Sequence, residues 1–250
     1  MLILASASPR RQQLLRNAKI PFLVEPTHLP ELAKPGEEPK SYVERLAAQK
    51  ARVIAGHHLD DFVLGADTTV VAGDQILNKP VNRPDAERML EMLSGSTHQV
   101  MTGVCLIAPR ARNEVLRKEL VRSKMTSVTF ERLREEEIQF YTSTGEGMDK
   151  AGGYAIQGIA SRWISQIEGD YFNVVGLPVA LVYGMLTECG FGAEQIGSLL
   201  PAGWSQEQAE GTGLRFFLAT FFAVLNGRLE VANTLAQALA KVGQFAGTED

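Results

Sequence analysis

Through about residue 190, apolar positions alternate between short β-rich runs and stripes with helical spacing, the pattern of an α/β fold. Leu2 to Ala5 reads as a strand. Ser8-Pro9 then sets a capping hydroxyl before a proline at the first helical position, opening a helix through about Ala18. Ser41-Tyr42-Val43-Glu44 has capping-box spacing and predicts a helix to about Ala55. Phe62 to Ala66 is a strand ending at Asp67, and Val70-Val71 with Ile76-Leu77 flank Gly73-Asp74 as a hairpin. A helix from Pro84 to Leu93, closed by Ser94-Gly95, precedes strands at His98 to Ile107 and Ser123 to Phe130. Glu135 to Thr142 is helical, Trp163 to Ile167 a strand, and Pro178 to Thr187 a helix.

Beyond about Gly190 the pattern changes. Leu214 to Leu225 is an apolar run broken by Arg215 and Thr220, and Leu229, Ala232, Leu235, Leu239 and Val242 recur at helical spacing. The run is shorter than the roughly 20 residues that cross a bilayer. It reads as a buried or interface helix, so the chain divides into an α/β domain over 1–190 and a helical extension over 191–250. The extension carries no cluster of chemically reactive side chains and suits docking or self-association, with a homodimer as the simplest case.

Composition narrows the partners. A net charge of −4 gives no whole-molecule attraction to nucleic-acid polymers or anionic membranes, so any phosphate recognition must be local. The two cysteines, Cys105 and Cys189, are isolated, which argues against a disulfide framework or a structural zinc site and fits a reducing compartment. The opening run Met1 to Ser6 lacks a basic flank and is too short for a signal peptide, so a cytoplasmic location is expected.

Several polar residues stand where an α/β scaffold does not need them. Arg10 and Arg11 occupy the first turn of a helix, where the unpaired N–H groups already make the field positive, and Ser6 and Ser8 lie beside them. Either the arginines point to solvent at small cost, or this helix start receives an anion such as a polyphosphate. Lys50 falls within the apolar stripe of Val43, Leu46, Ala47, Val53 and Ile54; it either snorkels to water or lines a cleft beside the core. Asp67, after an apolar strand, either turns the chain or supplies a carboxylate for a metal ion or for proton abstraction. A hairpin of the observed length can return Lys79 toward it. In Asp149-Lys150-Ala151-Gly152-Gly153-Tyr154-Ala155-Ile156-Gln157-Gly158 the glycines allow close backbone approach, and Gln157 offers both a donor and an acceptor for a base edge. Gly169 to Pro178 reads as a second candidate loop or as a turn leading into a helix.

Taken in order, Leu4-Ala5-Ser6-Ala7-Ser8-Pro9-Arg10-Arg11, Leu46-Ala47-Ala48-Gln49-Lys50-Ala51, Gly65-Ala66-Asp67-Thr68, Lys79-Pro80, Leu93-Ser94-Gly95 and Gly176-Leu177-Pro178 resemble the Maf family of nucleoside-triphosphate pyrophosphatases. The likeness runs from Leu2 to about Leu186. It implies a mixed twisted sheet with helices on its faces and a substrate cleft, of the Maf and inosine-triphosphatase kind. It also implies Asp67 as proton acceptor and Lys50 and Lys79 on the phosphates, beside the helix start of Ser6, Ser8 and Arg11 that is expected to bind them too; Mg²⁺ or Mn²⁺ is the expected cofactor. Arg10, Thr68 and Gln157 are similar to the branch that hydrolyses dTTP and UTP to the monophosphate and pyrophosphate. One stretch departs from the family pattern: the acidic segment after the first helix is His28-Leu29-Pro30-Glu31, leaving Glu31 with Asp67 as the metal carboxylates. Two alternatives are a non-catalytic regulator of septum formation and the same chemistry on a purine or modified nucleotide.

Overall fold

The computed structural model describes residues 1–110 and 116–192, so the helices expected over Leu214 to Leu225 and Leu229 to Val242 lie outside the described residues. The elements are β1 (Leu2–Leu4), α1 (Pro9–Asn17), β2 (Leu23–Val24), α2 (Pro39–Ala55), β3 (Phe62–Ala72), β4 (Gln75–Leu77) and α3 (Arg83–Leu93). There follow β5 (Thr97–Ile107), β6 (Glu119–Phe130), α4 (Glu135–Thr144), β7 (Ile164–Glu168), α5 (Tyr171–Val175) and α6 (Val179–Glu188). The strands form one sheet in the order β2-β1-β3-β5-β6-β7, with β4 paired to β3. β1 runs parallel to β2 and β3, and the other pairs are antiparallel, giving the mixed sheet that the family resemblance implies. Among the described residues no helix is long and apolar enough to cross a membrane.

The two-residue period of the strands builds two layers. Ile3, Val63, Cys105 and Ile107 face Ala47, Ala48, Ala51 and Ile54 of α2. Leu2, Leu4, Phe62, Leu64, Val104 and Leu106 join the larger layer with Leu14 and Leu15 of α1, Leu90 and Leu93 of α3, Tyr141 of α4 and Met185 of α6. Two glycines bring α2 unusually close to the sheet. A Cβ on Gly65 would collide with the Ala47 carbonyl oxygen and the Ala51 amide, and one on Gly103 with the Val43 carbonyl. Asp67 lies two residues beyond Gly65 on the same face and pairs with Gly103, so this contact sets α2, and Lys50 with it, over Asp67.

Four local expectations are corrected. β3 does not end at Ala66; β5 pairs with it from Val63 to Val71, and Asp67 sits mid-strand. α2 opens at Pro39 with Glu38 as its N-cap, so Ser41 lies inside the helix, and Glu44 instead accepts from the Ser123 hydroxyl at 2.7 Å. A proline already fixes the φ that the first turn requires, which explains the earlier start. Val53 is 45% exposed, and Ala48 and Ala51 take its place against the sheet. β6 begins at Glu119 rather than Ser123, because it pairs with β5 as far as Ile107.

The sheet leaves a gap. β1 meets β3 only over Phe62 to Leu64 and β4 meets it only over Val70 to Ala72, so residues 65–69 have no strand on that side. The chain leaving β1 toward α1 passes this gap, at the carboxyl end of a parallel strand, where α/β proteins place ligands.

Candidate active site

A cleft of about 580 Å³ opens there, within the size range of small-molecule sites. Ser6, Ser8, Arg10, Arg11, Glu31, Lys50, Asp67, Thr68, Lys79 and Gln157 all line it. Residues far apart in sequence thus meet on one surface.

At its acidic end the charges form a chain. The Lys50 ammonium, 6% exposed, donates to Asp67 Oδ1 at 2.7 Å and to Glu31 Oε1 at 2.6 Å. Lys79, returned by the β3–β4 hairpin, donates to Glu31 Oε2 at 3.0 Å. The Tyr42 hydroxyl binds the Glu31 carbonyl oxygen at 3.0 Å and lies 3.3 Å from Asn78 Oδ1, tying the acidic segment to the hairpin. Burial raises the Asp67 carboxyl above the ordinary range, against the pull of Lys50 and Arg11. Burial also opposes ionisation of Glu31, but the hydrogen bonds and charges of Lys50 and Lys79 outweigh it and hold that carboxyl at about 2. The two carboxylates therefore differ: Glu31 is a fixed anion and Asp67 keeps affinity for a proton.

Arg11 does something the sequence does not announce. It is buried, and it donates through Nε to Gly176 O at 2.8 Å, through Nη1 to Ser6 Oγ at 3.0 Å and Ala66 O at 2.9 Å, and through Nη2 to Thr68 Oγ1 at 3.0 Å. The Ala66 carbonyl is one that the strand gap leaves without a strand partner. Four of the five guanidinium N–H groups are thus held, and among the described residues the fifth has no protein acceptor. Thr68 Oγ1 also meets Thr102 Oγ1 at 2.9 Å and lies 3.3 Å from Gly176 O. Ser8 caps α1 by accepting from the Arg11 amide at 3.5 Å, and its own amide donates to Ser6 Oγ at 3.3 Å. Gly176 follows α5, so the Gly169 to Pro178 segment is both a short helix and part of the cleft wall.

Toward the other end Arg10 reaches Asp149 Oδ2 at 3.3 Å across the cleft. Gln157 is exposed, and among the described residues no protein group bonds its side-chain amide. The sequence singles out the segment from Asp149 to Gly158 but not the role of Lys150, which lines the cleft and binds the Asp149 carboxylate and the Glu146 carbonyl. It also passes over His98. That ring is buried behind the cleft with Nε2 2.8 Å from the hydroxyl of the cleft residue Tyr154, and burial pushes its pKa down to about 4. The inward parity of His98 with Val100 on β5 is the signal that could have placed it.

Among the described residues no three His, Cys, Asp or Glu side chains group to hold a metal by themselves. Glu31 and Asp67 offer two carboxylates joined through one ammonium. Hard oxygen donors of that kind suit Mg²⁺ or Mn²⁺ when substrate phosphates complete the shell; these residues fit such an ion.

A mixed sheet with a cleft walled by carboxylates and cations at a strand gap defines an α/β protein built to receive a small anionic ligand. The chain belongs to the Maf family, whose model, described as Maf-like protein, matches residues 1–189. Relatives include the dTTP/UTP pyrophosphatase of Koribacter versatilis (strain Ellin345), 55% identical over 189 residues covering 76% of this chain and 94% of that protein. A second, of the same name, from Symbiobacterium thermophilum, is 50% identical over 190 residues, with 76% and 94% covered. Among solved structures the Staphylococcus aureus Ham1 protein aligns with TM-score 0.38 at 12% identity, over 52% of this chain and 71% of its own, a weak likeness.

Proposed function

We propose that this chain is a nucleoside-triphosphate pyrophosphatase that hydrolyses dTTP and UTP to the monophosphate and pyrophosphate, clearing such nucleotides from the pool. The observation that carries this reading is the ion-pair chain Lys79–Glu31–Lys50–Asp67 on one wall of the cleft. Family membership and the names of the relatives support the same chemistry.

Asp67 is the proton acceptor. Its Oδ1 is held by Lys50, and among the described residues no group bonds Oδ2, which is left for a water. As the water oxygen bonds the α-phosphorus, its proton passes to Asp67. The bond from the α-phosphorus to the bridging oxygen breaks, and pyrophosphate leaves with the electron pair. Lys50 and Lys79 stabilise the charge gathering on the phosphates, with the remaining N–H of Arg11 and the hydroxyl of Ser8 at the helix start. Glu31 and Asp67 would hold the divalent ion, which when bound supplies charge neutralisation on the triphosphate. Arg10, Thr68 and Gln157 select the base, with the free amide of Gln157 able to donate and accept at once on a pyrimidine edge. Residues 1–190 form the catalytic domain. The chain works in the cytoplasm.

A pyrophosphate-release screen over all common nucleoside triphosphates with Mg²⁺ tests the reading. dTTP and UTP should give the highest kcat/KM; a preference for a purine nucleotide would overturn the substrate assignment.

A further inference from the structure

Among the described residues no protein group bonds the Gln157 side-chain amide, so whatever holds its turn decides where that amide points. The turn is held from behind by Glu146, which follows α4 and is not part of the cleft lining. The Ile159 amide lies 3.0 Å from Glu146 Oε1 and 3.3 Å from Oε2, donating to the carboxylate from two residues past Gln157. The intervening Gly158 lies flat against the same carboxylate, and a Cβ there would collide with it. On the near side the Ala155 amide donates to the Tyr141 hydroxyl at 3.0 Å, and the turn closes with Gly158 N donating to Ala155 O at 3.1 Å. Glu146 is itself placed by its amide on Thr144 Oγ1 at 3.2 Å and by Lys150 on its carbonyl.

A partly exposed amide can be satisfied by water, so folding alone does not require a carboxylate at this place. Nor does a cleft that takes polyphosphate gain from a nearby negative charge. A charge-assisted bond to the turn, with a glycine shaped to admit it, does gain rigidity. We propose that Glu146 is a positioning residue for nucleobase recognition, locking the 155–159 turn so that Gln157 presents its amide at a fixed angle. This rests on the proposed pyrimidine-triphosphate activity.

The test is steady-state kinetics on dTTP, UTP and GTP for the full chain and for Glu146→Ala, Glu146→Gln, Gly158→Ala and the Glu146→Ala/Gly158→Ala double variant. Glu146→Ala should lose roughly ten-fold in kcat/KM for dTTP and UTP, mostly through KM, with a smaller loss for GTP. Glu146→Gln keeps an acceptor and should stay within about three-fold of wild type. Gly158→Ala should resemble Glu146→Ala, and the double variant should be no worse than either single, because the new methyl then finds the space the carboxylate vacates. Equal losses for every nucleotide, or an unchanged preference in a folded Glu146→Ala, would overturn the assignment of Glu146 while leaving the activity standing. A wild type that releases no pyrophosphate from dTTP or UTP would remove both.

Discussion

A lysine inside an apolar helical stripe suggests that methionine would serve there at least as well. The site reverses that expectation. Lys50 partners Asp67, and both are almost fully buried, so Lys50→Met leaves a carboxylate in the interior without its counter-charge. Breaking one side of a buried pair costs on the order of 3 kcal/mol, far more than a methionine side chain returns by packing. Urea unfolding at pH 7 should show that loss, and Lys50→Met/Asp67→Asn should recover most of it; a single variant as stable as wild type would contradict the pairing. The raised Asp67 carboxyl has a kinetic consequence of its own. A base works only when deprotonated, so kcat/KM should fall as pH drops, with the acid limb above the ordinary carboxylate range because burial disfavours the charge. A pH profile flat through that range would deny Asp67 its role. At this scale the sequence marked Lys50 as out of place and Asp67 as a carboxylate near a strand terminus, but not that they touch. Helix position alone treats the two arginines alike; the fold buries Arg11 on two backbone carbonyls and two hydroxyls and leaves Arg10 partly exposed.

The elements were mostly legible because periodicity and caps are local. The Ser8-Pro9 start of α1, the β3–β4 hairpin and the α3 stripe follow the residues that predict them. What local pattern could not give was length set by a partner strand: β3 runs on through Asp67 and β6 starts early because β5 pairs along both. Gly65 and Gly103 carry a message of the same kind, read only once α2 lies across them. Gly65→Ala would drive a methyl into the α2 backbone, lifting the helix and drawing Lys50 away from Asp67. A loss of roughly 1–3 kcal/mol is expected from such overpacking, with kcat falling alongside it. Thermal melts and turnover both matching wild type would show that this close approach does not position the site.

For the whole molecule, the family match covers residues 1–189 and the apolar pattern changes near Gly190, where the proposed catalytic domain ends. A chain stopped after residue 190 should fold and keep dTTP kcat/KM within about three-fold of full length, as expected of a domain with its own core. Loss of activity in a folded truncation would assign the extension a part in catalysis. The net charge of −4 gives no whole-molecule attraction to an anion, while Arg10, Arg11, Lys50, Lys79 and Lys150 line one cleft. The most direct test of the account is product analysis of dTTP turnover with Mg²⁺ by wild type and Asp67→Asn. Wild type should yield dTMP and pyrophosphate in equal amounts, and Asp67→Asn, still folded, should be slower by at least about a hundred-fold; release of dTDP and phosphate, or a near-normal rate in the variant, would contradict it.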